Sequence, residues 1–154
     1  MKLRLFAFAL TLVCLLSFTG VALAQDAAPV NDGETVITLE NGVVGTLNVP
    51  ESDSPVPAVL MLHGFASSRN EVGDMYLRLA AALAERGIGS LRIDFSGWGE
   101  SAGDMAESTV SGMVADAEVA LQYLQSLDGV DASRLGILGF SLGGGITVFT
   151  AGEN

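Results

Sequence analysis

The sequence predicts an α/β fold in which an antiparallel hairpin leads into a parallel sheet with flanking helices. Three short apolar runs, at residues 58–62, 88–95 and 134–140, alternate with two stretches of helical periodicity. Strand, helix, strand, helix, strand is the order typical of a parallel sheet covered by helices. We therefore expect one α/β domain over residues 35–154.

The N-terminal 24 residues have the three-part layout of a secretory signal peptide. Lys2 and Arg4 precede an uncharged apolar run over residues 5–18, and Ala22-Leu23-Ala24 forms a small-residue cleavage pattern. A retained membrane-spanning helix is the alternative, since about 19 residues are just long enough. The cleavage pattern and the polar residues after it favour removal after Ala24. We expect a secreted or periplasmic protein with no stable membrane anchor and a flexible leader over residues 25–34.

Composition excludes several classes of protein. Cys14, the only cysteine, lies in the expected leader, so the mature chain would hold no disulfide, zinc thiolate or cysteine nucleophile. One histidine and no cysteine make a metal site a poor interpretation, and we expect no cofactor. Eighteen acidic residues against five basic ones, once Lys2 and Arg4 are removed, argue against nucleic-acid or anionic-membrane partners.

The first elements form a predicted β-hairpin. The segments "TVITLE" and "VVGTLNVP" flank Asn41-Gly42, a pair that favours a two-residue type I′ turn. We expect the hairpin over residues 35–49. Pro55 and Pro57 then force extended backbone ahead of the next strand.

The remaining elements follow from apolar spacing. The run at 58–62 predicts a strand covered on both faces, and residues 88–95 and 134–140 predict two more buried strands. A first helix is indicated by apolar residues three and four apart, ending near Gly87: Val72, Met75, Leu79 and Leu83. A second helix carries Val110, Met113, Ala117, Leu121 and Leu124 on one face. "GGGITVFT" would open a third helix.

Gly139-Phe140-Ser141-Leu142-Gly143 fits the G-x-S-x-G pattern of a nucleophile elbow, and it lies between a predicted strand and a predicted helix. Glycines on both sides of Ser141 remove side chains that would collide in a tight strand-to-helix turn. The following helix points its N-terminal amides at the same position, which favours a developing negative charge. A plain glycine-rich turn is the alternative, but the context favours Ser141 as a nucleophile.

His63-Gly64-Phe65 directly follows the first parallel strand. Acyl transfer needs two backbone donors for the oxyanion, typically one from the residue after the nucleophile and one from this loop. Those donors would be the amides of Leu142 and Phe65, and Gly64 would let the backbone approach closely. We expect His63 to fix the loop rather than to act as the general base, because it precedes the nucleophile and lies at a strand end.

The segment "DFSGWGES" at residues 94–101 follows the second parallel strand and supplies Asp94, Gly97, Gly99 and Ser101. Together, the three motifs resemble those of the α/β-hydrolase family, in the same order. The closest likeness, in "LHGFASSRNE" and "LAERGIGSLRIDFSGWGES", is to feruloyl or cinnamoyl esterases and to serine-aminopeptidase-like and acyl-peptidase-like hydrolases. It covers residues 35–152.

The resemblance implies hydrolysis of a small-molecule ester or short peptide through an acyl-enzyme on Ser141. In the family, a histidine base and its aspartate follow the serine, whereas this sequence has neither after Ser141. We therefore expect an N-terminal fragment of a longer hydrolase, truncated after the elbow and inactive alone, with an open sheet edge prone to association. Trp98, Phe95 and Phe65 could line an acyl pocket, although packing is the more usual role.

Two interpretations of another class stay open. A non-catalytic fragment or a binding protein on the same fold would also carry these motifs. "GWGESA" matches the G-x-G-x-x-A pattern of dinucleotide-binding proteins, with Asp116 or Glu118 near the distance of a ribose contact. Three residues separate those glycines from the strand, which disfavours that match. A phosphate-binding loop is excluded at "GFSLGGG" because no lysine follows.

Overall fold

The computed structural model of the chain describes residues 33–153. The predicted signal peptide and most of the predicted leader lie outside the described residues. Within residues 33–153, no helix combines the length and the apolar character needed to cross a bilayer.

Within residues 33–153, five strands form one mixed sheet, accompanied by three α-helices. The strands are β1 (Thr35–Thr38), β2 (Val44–Asn48), β3 (Val56–Leu62), β4 (Gly89–Ile93) and β5 (Val130–Gly139). The helices are α1 (Met75–Ala84), α2 (Val110–Gln125) and α3 (Leu142–Glu153). The strand order is β1-β2-β4-β3-β5, with β3 parallel to both of its neighbours and β2 antiparallel to both of its own. The predicted α/β architecture is confirmed.

The turn of the β1–β2 hairpin differs from the predicted type I′. The hairpin is closed by a bond from the Leu39 amide to the Val43 carbonyl, so three residues form the loop. Only Gly42 has a positive φ, 84°, whereas a type I′ turn requires positive φ at two residues. The Asn41 side chain accepts the Val43 amide at 3.3 Å and donates to Asp116 at 2.9 Å. These bonds favour the longer loop.

The sheet is covered on both faces, which accounts for the unbroken apolar run in β3. Leu60 and Leu62 of β3 and Leu91 of β4 face a core completed by α2 and by Ile146 of α3. Met61 points the other way and packs against α1. The crossover from β3 to β4 therefore places α1 on one face, and α2 and α3 share the other; among the described helices, α1 is the only one on its face.

The first predicted helix begins later than its apolar spacing suggests. Residues Val72–Asp74 form a short 3-10 turn, and Val72 is 73% exposed instead of facing the core. Gly73 and Asp74 have left-handed backbone, with φ of 60° and 56°, so the α-helix starts only at Met75. Gly87, at φ 71°, follows the helix end as predicted.

The third parallel strand is not buried as the sequence predicts. Within the described residues, β5 pairs with β3 alone and leaves its other edge open, and most of its residues are half-buried or exposed. Val148 and Phe149 of α3 are 71% and 58% exposed. The apolar character of this strand and helix is therefore not matched by burial in residues 33–153.

Candidate active site

Ser141 lies on a tight turn between the end of β5 at Gly139 and the start of α3 at Leu142, where it is exposed. Its φ of 51° is in the left-handed region, which is strained for a residue with a side chain and recurs at functional sites. The turn therefore presents the hydroxyl at the C-terminal end of the parallel strands.

No side chain fits at Gly139 or Gly143. A Cβ on Gly139 would lie 2.1 Å from the carbonyl oxygen of Gly143, and a Cβ on Gly143 would lie 2.0 Å from the carbonyl oxygen of Leu62. Both distances are far below contact, so the flanking glycines are steric requirements of the turn. The structure places Gly139, Ser141 and Gly143 in one tight strand-to-helix turn.

Helix α3 begins directly after the serine. The Ser141 carbonyl accepts the amides of Gly144 and Gly145 at 3.0 and 3.3 Å, which makes Ser141 the residue before the first helical turn. The amide of Leu142 is the first of the helix, and the first amides of a helix have no acceptor within it. Leu142 therefore has the position expected for an oxyanion donor.

The loop after β3 lies against this elbow. The Phe140 amide donates to the Leu62 carbonyl at 3.2 Å, and Tyr76 of α1 donates its hydroxyl to the same oxygen at 3.1 Å. A Cβ on Gly64 would lie 3.3 Å from the Phe140 ring, so a larger residue would crowd the elbow there. The two segments predicted to carry the oxyanion donors are thus in contact.

His63 is buried, and both of its ring nitrogens are engaged. Nδ1 lies 2.7 Å from the Gly64 carbonyl oxygen, and Nε2 accepts the Phe95 amide at 3.2 Å. An Nε2 that accepts is unprotonated, so the ring is neutral and Nδ1 carries the proton. Burial lowers the pKa of His63 despite the nearby charges of Asp94 and Glu71. These contacts leave neither ring nitrogen for Ser141.

The His63 contact also orients the amide of Phe65. The Gly64 carbonyl and the Phe65 amide belong to one planar peptide, and no peptide bond of the described chain is cis. In a trans peptide the two groups point in opposite directions. By holding the carbonyl, His63 directs the Phe65 N–H away from itself.

Asp94 lies at the end of β4 and is fully buried. Its carboxylate accepts the Arg69 amide at 2.6 Å and the Glu100 amide at 3.1 Å, and it forms an ion pair with the Arg69 guanidinium. A Cβ on Gly99 would lie 2.3 Å from the Asp94 carboxyl carbon. Asp94 therefore anchors its own loop and the loop after β3.

The other predicted residues of this loop are structural as well. Ser101 donates to the Asp94 carbonyl at 2.6 Å and accepts the Val44 amide at 2.8 Å, which ties the loop to β2. A Cβ on Gly97 would lie 2.5 Å from the carbonyl carbon of Asp104. Among the described residues, Gly97, Gly99 and Ser101 make no contact with Ser141.

The dinucleotide interpretation is not supported by this geometry. Gly97 and Gly99 are packed against the chain's own backbone and Asp94, which leaves no room for a pyrophosphate. The Asp116 carboxylate accepts from the Ser96 amide and hydroxyl and from Asn41, so its oxygens are already bonded. Across residues 33–153, no three histidine, cysteine, aspartate or glutamate side chains cluster as metal ligands would.

Aromatic side chains surround His63. Its ring centroid lies 4.8 Å from Phe95 and 5.7 Å from Trp98, and Phe65 packs edge-on against Trp98 at 5.3 Å. Phe95 and Trp98 are buried, whereas Phe65 is 70% exposed and Phe140 is 49% exposed. Phe95 and Trp98 therefore support the loop, and Phe65 and Phe140 are the rings that a ligand can reach.

Sequence reasoning missed three residues that hold the loop after β3: Arg69, Glu71 and Tyr76. Arg69 reaches Asp94, Glu100 and Thr46 although it is almost wholly buried. Residues 66–71 contain no large apolar side chain, so they resemble an ordinary exposed loop. The available signal was the pair of opposite charges at Arg69 and Glu71, a few residues after the His63-Gly64-Phe65 motif.

A sequence model of the hydrolase family described as serine aminopeptidase, S33, matches residues 53–154. This match includes the His63 loop, the Asp94 loop and the elbow. The chain belongs to the serine aminopeptidase S33 family. The predicted family resemblance is confirmed.

Individual relatives agree with this assignment. An uncharacterised 31.7 kDa protein of Escherichia coli is 31% identical over 113 residues, which are 73% of this chain and 38% of that protein. The structure of Est1E from Butyrivibrio proteoclasticus with ferulic acid bound has a TM-score of 0.66 at 24% identity, covering 77% of this chain and 47% of Est1E. A putative α/β hydrolase from Agrobacterium tumefaciens, ATU1826, has a TM-score of 0.65 at 25% identity, covering 79% and 55%.

The fold is therefore a partial α/β-hydrolase fold. The chain spans about two fifths of the E. coli relative and about half of each of the two structures. The rest of each relative lies outside the aligned region.

Proposed function

We propose that Ser141 is the nucleophile of a secreted serine hydrolase that cleaves carboxylic esters through an acyl-enzyme. The observation that carries the proposal is the left-handed backbone of Ser141 between Gly139 and Gly143. Neither of these two glycine positions has room for a larger residue. A strained serine at the head of a helix fits nucleophilic attack, because its hydroxyl is exposed and the helix amides favour negative charge. Membership of a hydrolase family supports the same conclusion.

In the proposed reaction, the Ser141 Oγ attacks the substrate carbonyl carbon while a base removes its proton. The carbonyl oxygen becomes an oxyanion that accepts hydrogen bonds from the amides of Leu142 and Phe65. Collapse of this intermediate expels the alcohol, which receives the proton, and leaves an ester on Ser141. Water then attacks that ester by the same route and releases the carboxylic acid.

The base is the missing component. His63 is the only histidine of the sequence, and both of its nitrogens are engaged away from Ser141. We propose that the histidine base and its aspartate come from a longer polypeptide of which this sequence is the N-terminal part. The share of the relatives that the chain spans and the open edge of β5 support this view.

Two measurements test the longer polypeptide. Coding DNA past Asn154 should continue in frame through an aspartate and then a histidine within about 100 to 150 residues, the span of a further half domain. The chain ending at Asn154 should not turn over p-nitrophenyl acetate. A genuine stop codon after Asn154, or full turnover by the 154-residue chain, would contradict this part of the proposal.

A fluorophosphonate probe tests the nucleophile in the complete gene product. We expect labelling at Ser141, loss of labelling in Ser141→Ala, and normal labelling in Ser54→Ala, which removes an exposed serine hydroxyl elsewhere. Absence of labelling in the unaltered protein would favour a non-catalytic protein on the same fold. Labelling that survives Ser141→Ala would place the nucleophile at another residue.

Amide hydrolysis is the second candidate activity, because the matched family is described as serine aminopeptidase. The acyl-enzyme chemistry is the same for both substrate classes. Turnover of p-nitrophenyl esters and of aminoacyl p-nitroanilides by the complete gene product distinguishes them. We expect the ester to be preferred.

A further inference from the structure

Glu71 is a buried carboxylate beneath the loop that carries Phe65. It is 5% exposed, and its Oε2 accepts the Gly64 amide at 2.6 Å, a short bond of the charge-assisted kind. Its other oxygen accepts the Val72 amide at 2.9 Å. Both oxygens are thus held by backbone amides, and the carboxylate cannot turn without breaking a bond.

The backbone around Glu71 is strained. Glu71 itself has φ 60° and ψ 171°, and Ala66 and Asp74 also have positive φ, although all three carry side chains. Such conformations persist where the surrounding structure determines them, and they cluster at functional sites. The nearby Arg69, held by Asp94, keeps the same loop against the end of β4. The loop is thus anchored on both sides of Asn70.

Glu71 and His63 act on the two peptide planes that meet at Gly64. Glu71 holds the amide of the His63–Gly64 peptide, and His63 holds the carbonyl of the Gly64–Phe65 peptide. A glycine without such contacts would rotate freely about both of its backbone torsions. Fixing both planes removes both rotations, and with them the freedom of the Phe65 N–H.

We propose that Glu71 is a positioning residue that orients the Phe65 amide toward the oxyanion. The inference rests on the proposed function, since it requires an oxyanion at Ser141. Without Glu71, His63 would still hold the Gly64 carbonyl, but the preceding peptide could turn and carry the loop away from Phe140. The Phe65 donor would then be lost in part of the molecules, and the transition state would be stabilised less.

The test compares Glu71→Ala and Glu71→Gln with Glu85→Ala in the complete gene product, whether it ends at Asn154 or continues. Glu85 is an exposed glutamate at the end of α1, and its variant controls for loss of a carboxylate. Four quantities are measured: the hydrogen-exchange rate of the Gly64 amide by NMR, the rate of fluorophosphonate labelling at Ser141, and kcat and KM for p-nitrophenyl acetate. Glutamine keeps an acceptor without the charge, so it provides the conservative rescue.

In Glu71→Ala we expect Gly64 exchange to be about 10- to 100-fold faster, as loss of a bond to a charged acceptor predicts. Labelling and kcat should fall by about 10- to 100-fold with KM little changed, less than the loss from deleting an oxyanion donor outright. Glu71→Gln should keep the fold and recover part, but not all, of this rate, because its neutral oxygen accepts a weaker bond than the carboxylate does. Glu85→Ala should match the unaltered protein.

The outcomes separate this inference from the proposed function. Faster Gly64 exchange with unchanged labelling and kcat would overturn the positioning role and leave the nucleophile intact. If Glu71→Ala does not fold, an unchanged KM with reduced kcat in Glu71→Gln supports the role, and unchanged kcat overturns it. If the unaltered protein is not labelled at Ser141 while Gly64 remains protected, the proposed function itself fails, and the inference fails with it.

Discussion

Arg69 binds the Asp94 carboxylate twice, through its backbone amide at 2.6 Å and through its guanidinium. The two residues are almost completely buried and lie 25 positions apart in the sequence. Their contact joins the loop after β3 to the loop after β4, so the two loops at the C-terminal end of the sheet form one unit. The position of Phe65, which lies in the loop after β3, depends on this unit.

Arg69→Met should destabilise the fold strongly. The substitution leaves the Asp94 carboxylate buried without its cation, which typically costs about 3–5 kcal/mol. Chemical denaturation followed by circular dichroism measures the free energy of unfolding. Arg86→Met is the control, because Arg86 and its partner Glu85 are both exposed and such pairs contribute at most about 1 kcal/mol. Equal effects of the two substitutions would contradict the buried role of Arg69.

Gly143→Ala should disrupt the elbow, whereas Gly145→Ala should be tolerated. A Cβ at Gly143 would lie 2.0 Å from the Leu62 carbonyl oxygen, but a Cβ at Gly145 meets no atom within 4 Å. Alanine is favoured over glycine inside a helix by about 0.5–1 kcal/mol, so Gly145→Ala should be neutral or mildly stabilising. Thermal unfolding and labelling at Ser141 check both variants. Normal labelling of Gly143→Ala would disprove the steric argument.

His63 should make the fold less stable as the pH falls below about 6.5, the ordinary pKa of histidine. Burial lowers the pKa of His63 in the folded chain, so between that value and 6.5 the unfolded chain binds more protons. The stability contribution is therefore complete above pH 6.5 and is lost as the pH drops toward the folded pKa.

Urea unfolding between pH 5 and pH 8 measures this dependence for the unaltered chain and for His63→Asn. The variant has no imidazole to titrate, so its free energy of unfolding should vary less with pH across this range. A slope that is the same in both proteins would show that other groups cause it.

Tyr76 should ionise only at strongly alkaline pH. Burial, with a further contribution from the charge of Glu71, raises the pKa of Tyr76 to about 12. Ultraviolet absorption after a rapid pH jump records phenolate formation before the chain unfolds. Tyr76→Phe should remove this step, and Glu71→Gln should move it to lower pH. A step unmoved by Glu71→Gln would exclude the electrostatic contribution of Glu71.

Much of the elbow could be predicted because its requirements are local. Glycine at 139 and 143 and serine at 141 are fixed by one turn of the chain, and the apolar runs on both sides identify the strand and helix that the turn joins. The buried strands β3 and β4 follow from the same local patterns. The predicted family rests on these motifs and their order.

The contacts that hold the loop after β3 could not be predicted. The Arg69–Asp94 contact spans 25 positions, and the Glu71–Gly64 bond, although it spans only seven, depends on the strained backbone of Glu71. Nothing near Arg69 indicates that its partner is Asp94, and nothing near Gly64 indicates that Glu71 returns to bind it. For Val72, the local pattern gives a wrong prediction. Its apolar spacing fits the buried face of α1, but the strained turn at Gly73 and Asp74 directs its side chain to solvent. Local patterns do not report such turns.

The carbonyl oxygen of Leu62 accepts both the Phe140 amide of the elbow and the Tyr76 hydroxyl of α1. Helix α1 lies on the face of the sheet opposite α2 and α3, so this single atom connects the two sides of the molecule at the end of β3. A small shift of α1 therefore reaches the backbone beside Ser141 through two hydrogen bonds. We expect surface substitutions on α1, although they lie outside the elbow, to change the reactivity proposed for Ser141.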